Sequence, residues 1–206
     1  MDEYQPKIFV VDDDRSILKS LKRLLQSNGY EVETFPSAQE FMEFDYESKG
    51  PACLILDVMM PKMSGLDLQE TILSWDISVP IVFITALHDV PTSVNAMKKG
   101  AVDFLTKPFK EADLLNAVQS ALQKDLKIRG AANELTNLKR RFALLTRRER
   151  QVLSYVVGGK LNKQIAFELD ISERTVKAHR AQVMEKMEVT SLAALVRIAG
   201  KLGVQP

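Results

Sequence analysis

Cysteine is almost absent from this sequence: Cys53 is the one residue of its type among 206. No disulfide can therefore form within the chain, which favours a reducing compartment. The N-terminus lacks the basic and then apolar pattern of a signal peptide, and no apolar run approaches membrane-spanning length. We therefore expect a cytoplasmic protein with no membrane partner. Cys53 lies in an apolar segment, which indicates a small core residue rather than a reactive thiol.

Net charge is also nearly absent, because 28 Lys and Arg oppose 27 Asp and Glu. This balance hides an asymmetry between the two halves of the chain. Residues 1–122 carry 11 basic and 19 acidic side chains, a net charge of −8, whereas residues 123–206 carry 17 and 8, a net charge of +9. An acidic half joined to a basic half indicates two domains with different partners, the basic one a candidate for nucleic-acid binding. The alternative is two solvated faces of opposite sign that attract each other.

The first half alternates apolar strands with amphipathic helices. Strand-like segments, each followed by a helical pattern, are predicted at residues 7–11, 31–35, 53–57, 81–85 and 103–106. Such a succession of βα units is typical of an α/β doubly wound fold, in which a parallel sheet has helices on both faces.

Polar side chains stand where these strands end. Asp12 and Asp13 follow the first strand, Asp57 ends the third, Thr85 ends the fourth and Lys107 follows the fifth. The C-terminal ends of parallel strands meet at one edge of a sheet, which is where such folds bind ligands. Carboxylates a few ångströms apart repel each other by about 4 kcal/mol per pair at an effective dielectric near 20. A hard divalent cation offsets that repulsion, so we expect Mg²⁺ together with an anion of phosphoryl type.

A plainer interpretation is that these acids cap helices and that Lys107 pairs with one of them. It would explain any single residue of the set. It is a poor explanation of acids, a hydroxyl and an amine that all stand at matching strand ends.

Several segments of the first half resemble the receiver domain of two-component response regulators in order and spacing. They are Val10-Val11-Asp12-Asp13-Asp14, Leu56-Asp57-Val58-Met59-Met60-Pro61 with Gly65, Ile84-Thr85-Ala86 and Lys107-Pro108-Phe109. The resemblance covers about residues 5–125. It implies a flavodoxin-like sheet of five parallel strands in the order 2-1-3-4-5. It also implies that Asp57 accepts a phosphoryl group from the phosphohistidine of a sensor histidine kinase.

The same resemblance implies roles for the residues around Asp57. Mg²⁺ would be held by Asp12, Asp13, Asp57 and the backbone carbonyl of Met59. Thr85 and Lys107 would contact the phosphoryl oxygens.

Two further features follow from this resemblance. Phe104 would be an aromatic switch that turns inward together with Thr85. The bond between Lys107 and Pro108 would be cis, which a peptide bond before proline allows.

Some positions depart from close relatives of that family. Leu87 and His88 follow the threonine where many receivers have a His-Gly pair, and Met59 is apolar where others carry a polar group. We therefore expect the rate of dephosphorylation to be the least transferable property. His88 is interpreted as a loop residue rather than a metal ligand, because the acids suffice for Mg²⁺.

Helical periodicity continues past the point where a small domain would end. Apolar residues recur at a spacing near 3.5, interrupted by Asp125: Leu114, Val118, Ala121, Ile128, Ala132 and Leu135. No proline occurs between Glu111 and the second domain, so we expect one long helix that ends near Arg141. Its apolar stripe would help two chains associate. The alternative is a shorter helix and then a flexible tether.

These patterns divide the chain into a receiver domain at 1–122, a helical linker at 123–141 and an all-α domain of four short helices at 142–206. Asn162 is the predicted N-cap of the second of these helices and Ser172 that of the third. The two helices are joined by a tight turn at Asp170-Ile171-Ser172, which makes a helix-turn-helix. Small residues among cations on the outer face of the third helix suit a helix that approaches base edges and binds phosphates.

The second half resembles the LuxR-type DNA-binding domain in three segments: Leu145-Thr146-Arg147-Arg148-Glu149-Arg150-Gln151-Val152-Leu153, Asn162-Lys163-Gln164-Ile165-Ala166 and Glu173-Arg174-Thr175-Val176-Lys177-Ala178-His179-Arg180. The resemblance covers about residues 142–204. Lys177, Ala178 and Ala181 would face bases. The complete set of expected DNA contacts is Lys163, Arg174, Thr175, Lys177, Ala178, His179, Arg180 and Ala181.

The last helix is expected to begin after Ser191 and, by resemblance, to dimerise on DNA. Leu192, Leu195 and Val196 would form its contact surface.

Together the two resemblances indicate a transcription factor of the NarL/FixJ class of response regulators, with a FixJ-like linker. The expected partners are a sensor histidine kinase, double-stranded promoter DNA, RNA polymerase and, on activation, a second copy of the chain. Phosphorylation is expected to expose a dimerisation face near residues 91–110.

Two rival functions remain. An aspartyl-phosphate hydrolase usually has a second acid two residues after the acceptor, where this chain has Met59, so an enzyme is not expected. A regulator that binds a small effector without phosphorylation is disfavoured by the complete set of acids.

Overall fold

The computed structural model describes residues 5–44, 50–75, 78–86 and 90–205. Leu87 and His88, where the sequence departs from its relatives, lie outside the described residues. The chain divides into two compact units, Met1–Arg129 and Gly130–Pro206. The division falls within the predicted linker 123–141. No described helix is both long enough and apolar enough to cross a membrane.

The first unit is built on a parallel sheet whose strand order is β2-β1-β3-β4-β5. Its strands are β1 (Lys7–Val11), β2 (Glu31–Phe35), β3 (Ala52–Asp57), β4 (Ile81–Thr85) and β5 (Asp103–Thr106). Every residue of the central strand β3 is buried, as expected of a strand covered on both faces. The predicted doubly wound fold and its strand order are confirmed.

Helices cover both faces of this sheet. They are α1 (Arg15–Ser27), α2 (Ala38–Glu43), α3 (Gly65–Ser74), α4 (Val90–Lys98) and α5 (Glu111–Ala143). One apolar core joins the sheet to α2, α3 and α4 through Phe41, Leu68 and Ala96. The other joins it to α1 and α5 through Leu21 and Val118.

The long helix α5 confirms the predicted helical linker, since it runs unbroken for 33 residues. The first half of its apolar stripe packs on the sheet, so any contact of this stripe with a second chain is confined to its later part. Leu114, Val118 and Ala121 are buried in the core of the first unit. A repeat near 3.5 shows that a stripe is covered, but not whether a sheet or a second helix covers it.

Asp125, which interrupts that stripe, anchors α5 to the sheet. Its buried carboxylate accepts a hydrogen bond of 2.8 Å from the backbone N–H of Ala52, at the start of β3. The Nε of Arg129 donates to the same oxygen at 2.5 Å. Asp125 therefore stands at an apolar position of the pattern because it contacts the backbone of β3, and it does not break α5.

The second unit contains four short helices after the end of α5, as predicted. They are α6 (Arg147–Val157), α7 (Asn162–Leu169), α8 (Glu173–Lys186) and α9 (Leu192–Lys201). A single apolar core joins them, to which Val152, Ile165, Val176 and Leu195 contribute.

Helix caps fix the ends of these helices. The Ser172 hydroxyl accepts from the N–H of Thr175 at 3.1 Å, so the predicted cap of α8 is confirmed. The predicted cap of α7 is wrong, because Asn162 is its first helical residue and Leu161 is the N-cap. Gln164 supplies the capping contact by accepting from the Leu161 N–H at 2.8 Å. The Asn162 side chain is therefore available for another contact.

One residue of the expected dimer surface on α9 belongs instead to the core. Leu195 is 2% exposed and packs within the second unit, whereas Leu192 and Val196 are 46% and 41% exposed. An amphipathic helix of ten residues carries both a core face and an outer face, and the sequence pattern did not separate them here.

Candidate functional site

The strand ends of the first unit bring the predicted polar residues to one edge of the sheet. Asp57 and Thr85 are the last residues of β3 and β4, while Asp12 directly follows β1. Lys107 directly follows β5, and its backbone N–H donates to the Thr85 carbonyl at 2.7 Å. Residues far apart in sequence therefore converge because parallel strands share one C-terminal edge.

Lys107 connects two of the acids. Its Nζ lies 2.7 Å from Oδ2 of Asp12 and 3.0 Å from Oδ2 of Asp57. The Lys107–Pro108 peptide bond is cis. The two hydrogen bonds place the amine directly beside the carboxylate that the sequence predicts as the acceptor.

The Asp57 carboxylate has a different donor at each oxygen. Its Oδ1 accepts from the backbone N–H of Met59 at 3.1 Å, while Oδ2 receives Lys107. The residue is 6% exposed, whereas Met59 is 57% exposed. These contacts hold the carboxylate in one orientation at the surface of the sheet edge.

Asp12, Asp13 and Asp57 together offer a set of oxygen ligands for a cation. One carboxylate oxygen from each lies within 4.8 Å of the others, with Asp12 and Asp57 buried and Asp13 exposed. An all-oxygen set of acids suits a hard divalent ion such as Mg²⁺, which also retains several waters. The exposed position of Asp13 leaves room for those waters.

Burial and hydrogen bonding shift the ionisation of this cluster. Burial raises the pKa of the Asp12 carboxyl, and the hydrogen bonds from Lys107 and from the Asp14 N–H offset only part of that effect. Burial lowers the pKa of Lys107, but its hydrogen bonds to Asp12 and Asp57 outweigh burial, so the net shift raises its pKa. The amine therefore stays a cation while it contacts the two acids.

Gly65 allows α3 to begin directly against Asp57. A Cβ at this position would lie 2.1 Å from the carbonyl oxygen of Asp57. The N–H of Gly65 donates to the Val58 carbonyl at 3.0 Å, which holds the two segments together. The sequence marked this glycine only as a part of a motif, and its requirement for close approach is visible only in the fold.

The predicted switch residues lie on adjacent strands. Thr85 is fully buried at the end of β4. Phe104 on β5 is half-buried and pairs in register with Phe83, with ring centroids 6.1 Å apart. Phe83 and Thr85 are two residues apart on one strand and so point to the same face. Thr85 and Phe104 therefore lie on the same side of the sheet as Phe83, which is part of the core.

In the second unit, α7 and α8 form the helix-turn-helix, and Asp170 in the turn between them adopts the left-handed conformation. The predicted DNA contacts on these helices are either exposed or half-buried. Exposed are Lys163, Arg174, Lys177, Ala178 and Ala181, and half-buried are Thr175, His179 and Arg180. The expected base-reading residues Lys177, Ala178 and Ala181 are thus all on the outer side of α8.

Arg180, one of the expected DNA contacts, also has a partner within the second unit. Its Nη1 donates to Oδ1 of Asn162 at 2.7 Å, which ties the middle of α8 to the first turn of α7. This pair was not predicted, because Asn162 was interpreted as a cap. An asparagine next to a helix start is ambiguous until the fold shows where its side chain points.

Models of two protein families match this chain. The response regulator receiver domain matches residues 8–119, and the bacterial regulatory proteins of the luxR family match residues 143–199. The chain is 45% identical to the response regulator protein TmoT of Ectopseudomonas mendocina over 202 residues. These residues cover 98% of this chain and 91% of that protein. It is 41% identical over 199 residues to the transcriptional regulatory protein FixJ of Rhizobium meliloti, with 97% of each chain covered.

Solved structures give the same relationship. The low-resolution structure of the response regulator StyR matches 96% of this chain and 99% of its own, with a TM-score of 0.84 and 48% identity. Full-length FixJ from B. japonicum matches all of both chains, with a TM-score of 0.58 and 37% identity.

Proposed function

Because the chain belongs to the two-component response regulators that join a receiver domain to a LuxR-type DNA-binding domain, we propose that phosphorylation of Asp57 controls promoter binding by α7 and α8. Proteins of this class are phosphorylation-regulated transcription factors. The observation that carries the proposal is the Lys107 amine, which contacts both Asp12 and Asp57 at the edge of the sheet.

The phosphoryl donor in this proposal is the phosphohistidine of a sensor histidine kinase. A carboxylate oxygen of Asp57 attacks the phosphorus, the P–O bond forms as the P–N bond breaks, and the imidazole leaves with the electron pair. Lys107 already stands 3.0 Å from Asp57 and donates to the oxygens of the arriving group. The hydroxyl of Thr85 adds a second donor from the end of β4.

Magnesium completes this site in the proposal. When bound, it neutralises charge on the acids and on the phosphoryl group. The residues that would hold it are Asp12, Asp13, Asp57 and the backbone carbonyl of Met59. Three clustered carboxylates beside a single amine leave an excess of negative charge, which supports a divalent cation here.

The kinase has a surface to bind next to Asp57. A groove of about 460 Å³ lies between α1 and the segment after β5, and Lys107 is part of its lining. Most of the remaining lining is apolar, with Ile17, Leu21, Leu24 and Phe109 as the large side chains. A helix of the donor protein packed in this groove would bring its phosphohistidine beside the acceptor.

A stripe on α4 supports the proposed dimer of the activated protein. Val90, Val94 and Met97 are 71%, 44% and 44% exposed, and they lie at positions i, i+4 and i+7 of one helix face. The stripe falls at the edge of the predicted face near residues 91–110. Thr85 and Phe104 would couple the phosphoryl group to this face, and dimerisation would strengthen DNA binding through avidity.

No enzymatic turnover is proposed for this chain. Its Asp57 site has Met59 at the position where an aspartyl-phosphate hydrolase usually has its second acid. A promoter-binding regulator that pairs with a kinase and with RNA polymerase acts in the cytoplasm, which is the location that we propose.

Replacement of Asp57 tests the proposal. Acetyl phosphate with Mg²⁺ should add the mass of one phosphoryl group to the full chain and shift it towards a dimer. Asp57→Asn should abolish both effects, because an amide does not accept the phosphoryl group. Intact-protein mass spectrometry and analytical ultracentrifugation measure the two results.

Asp113→Asn is the matched control, since it removes an exposed carboxylate at the start of α5. It should be phosphorylated like the wild type. Equal phosphorylation of Asp57→Asn and the wild type would refute the acceptor assignment.

A further inference from the structure

A polar groove runs along the outside of α6 in the second unit. Its volume is about 660 Å³. A leucine, two arginines and three further polar or aromatic side chains line it: Leu145, Arg147, Arg150, Gln151, Ser154 and Tyr155. The predicted DNA contacts do not include any of these residues, and the phosphorylation site lies in the other unit.

The two arginines of the groove are available for an acidic ligand. Arg150 is held in place, because its guanidinium lies 5.1 Å from the Phe142 ring centroid and donates to the Ala143 carbonyl at 3.2 Å. Arg147 is exposed. The ion pairs found within residues 130–205 involve neither arginine. The groove therefore presents two positive charges, one of them already ordered.

The groove and the DNA-reading face lie on opposite sides of the packed pair α6 and α8. On α6, Val152, Leu153 and Val156 face the core. At about 100° per residue, the groove residues lie roughly 180° around the helix from those three. A ligand in the groove is thus bound on the side of α6 that faces away from the core.

Helix α8 also has a core face and an outer face. Val176 and Val183 face the core that α8 shares with α6, whereas Lys177 and Ala178 are exposed. Since each helix turns its apolar face to the other, their outer faces point in opposite directions. DNA bound along α8 would leave the groove on α6 uncovered.

We propose that this groove binds an acidic, amphipathic segment of a protein partner while α8 lies on DNA. Arginine matches a carboxylate in bidentate geometry, so Arg147 and Arg150 recognise acidic side chains. The half-buried ring of Tyr155 provides apolar surface for a neighbouring hydrophobic side chain, whereas Leu145 belongs to the core beneath the groove. The phosphate backbone fits this groove less well, because the groove faces away from α8. The inference rests on the proposed promoter binding, since it supplies the contact between DNA-bound regulator and transcription machinery.

Fluorescence anisotropy of a labelled peptide of glutamate and leucine residues tests the groove in the full chain. The peptide should bind, and a peptide with glutamine in place of glutamate should not. Saturation with an unlabelled nonspecific duplex should leave the peptide affinity unchanged. Arg147→Glu should weaken peptide binding by about tenfold or more, because a charge-assisted contact is lost and repulsion replaces it.

Matched variants distinguish peptide binding in the groove from a general effect of charge on peptide binding. Arg140→Glu reverses an exposed charge of the same unit outside the groove, and it should leave the affinity for the peptide nearly unchanged. Lys177→Ala should weaken DNA binding and leave peptide binding intact. Arg147 is exposed at the start of α6, and circular dichroism verifies that the variant folds.

Three results would overturn the inference. They are equal peptide binding by Arg147→Glu and the wild type, an equal loss in Arg140→Glu, or displacement of the peptide by DNA. The last result would identify the groove as a phosphate-binding surface. Phosphorylation and DNA binding of the same preparations are measured in parallel, so failure of the proposed function is recognised separately.

Discussion

At the scale of single residues, Gly65 determines how closely α3 approaches Asp57, the proposed acceptor. Any β-carbon at this position would meet the Asp57 carbonyl oxygen at 2.1 Å, and the atom that it meets is backbone rather than a flexible side chain. Either β3 or α3 would have to move. Because the geometry of Asp57 depends on the end of β3, such a movement would also affect the site.

We expect Gly65→Ala to destabilise the first unit by about 1–3 kcal/mol, the usual cost of overpacking a close contact. It should also slow phosphorylation of Asp57 by acetyl phosphate. Trp75 is the one tryptophan of the sequence and follows α3, so its fluorescence in a urea titration reports unfolding of this unit.

Gly130→Ala is the control for that substitution. Gly130 lies inside α5 and has no atom within 4 Å of the position of a Cβ. The same change should therefore stabilise the helix by about 0.5–1 kcal/mol, measured by circular dichroism. Destabilisation by both variants to the same degree would show that the close contact at Gly65 is not the cause.

At the scale of elements, hydrophobic periodicity in the sequence predicts where strands and helices lie. It does not predict hydrogen bonds that depend on residues elsewhere in the chain. The strands β1, β2, β4 and β5 begin and end at the predicted residues, and β3 begins one residue earlier than predicted. The predicted cap at Asn162 is wrong because the helix begins one residue earlier, with Leu161 as N-cap and its N–H donating to Gln164. The role of Asp125 was missed because its partner, the N–H of Ala52, is 73 residues away.

Glu149 makes two contacts that hold the start of helix α6 in place. Glu149 accepts from the Thr146 N–H at 2.7 Å and so closes a capping box. It also accepts from Lys186 Nζ at 2.7 Å, which joins the start of α6 to the end of α8. Burial raises the pKa of Glu149, but the hydrogen bonds from Lys186 and Thr146 outweigh burial and lower its pKa overall.

This shift predicts how the stability of the second unit depends on pH. A carboxyl with a lowered pKa stabilises the folded state above its unfolded pKa of about 4.3, and the stabilisation is lost as the pH falls through the lower folded pKa. Glu149→Gln keeps the cap but loses the charge. We expect it to cost about 1–2 kcal/mol at pH 7, and the difference from the wild type should shrink below about pH 4.

Hydrogen exchange of α6 and α8 in the full chain measures this difference at each pH. Glu188→Gln is the control, since the carboxylate of Glu188 pairs with Arg141 at 2.5 Å but is 64% exposed. An exposed pair contributes about 0–1 kcal/mol, so this variant should have a smaller effect. A difference for Glu149→Gln that stays constant from pH 7 to pH 3 would contradict the role assigned to the charge.

At the scale of the whole molecule, the charge asymmetry of the sequence indicates which half binds which partner. An acidic half holds the receiver domain with the proposed phosphorylation site, and a basic half holds the helix-turn-helix. The fold class and the strand-end site follow from the order of strands, because parallel topology alone brings their ends together. The groove on α6 could not be predicted, and the expected face near residues 91–110 could not be narrowed to the exposed stripe on α4. Exposure depends on packing that no local pattern specifies.

The salt dependence of DNA binding tests whether activation acts through a dimer. Each chain offers the predicted cations Lys163, Arg174 and Arg180 to phosphates, whereas Lys177 is expected to face bases. Three neutralised phosphates give a slope of log K against log salt of about −2.7, and two chains bound together give about −5. We therefore expect acetyl phosphate to double the slope measured by anisotropy with a labelled nonspecific duplex. Dimerisation adds phosphate contacts, whereas relief of a block on one domain raises affinity without adding any.

Val94→Lys places like charges on the proposed dimer stripe of α4, where the side chain is 44% exposed. This variant should still be phosphorylated, but its slope should stay near the value of a single chain. Leu73→Lys adds the same charge at a position on α3 that is 56% exposed and lies outside the stripe, and it should behave like the wild type. If activated wild-type protein gains affinity while its slope stays at the single-chain value, phosphorylation acts by releasing the DNA-binding domain rather than by joining two chains.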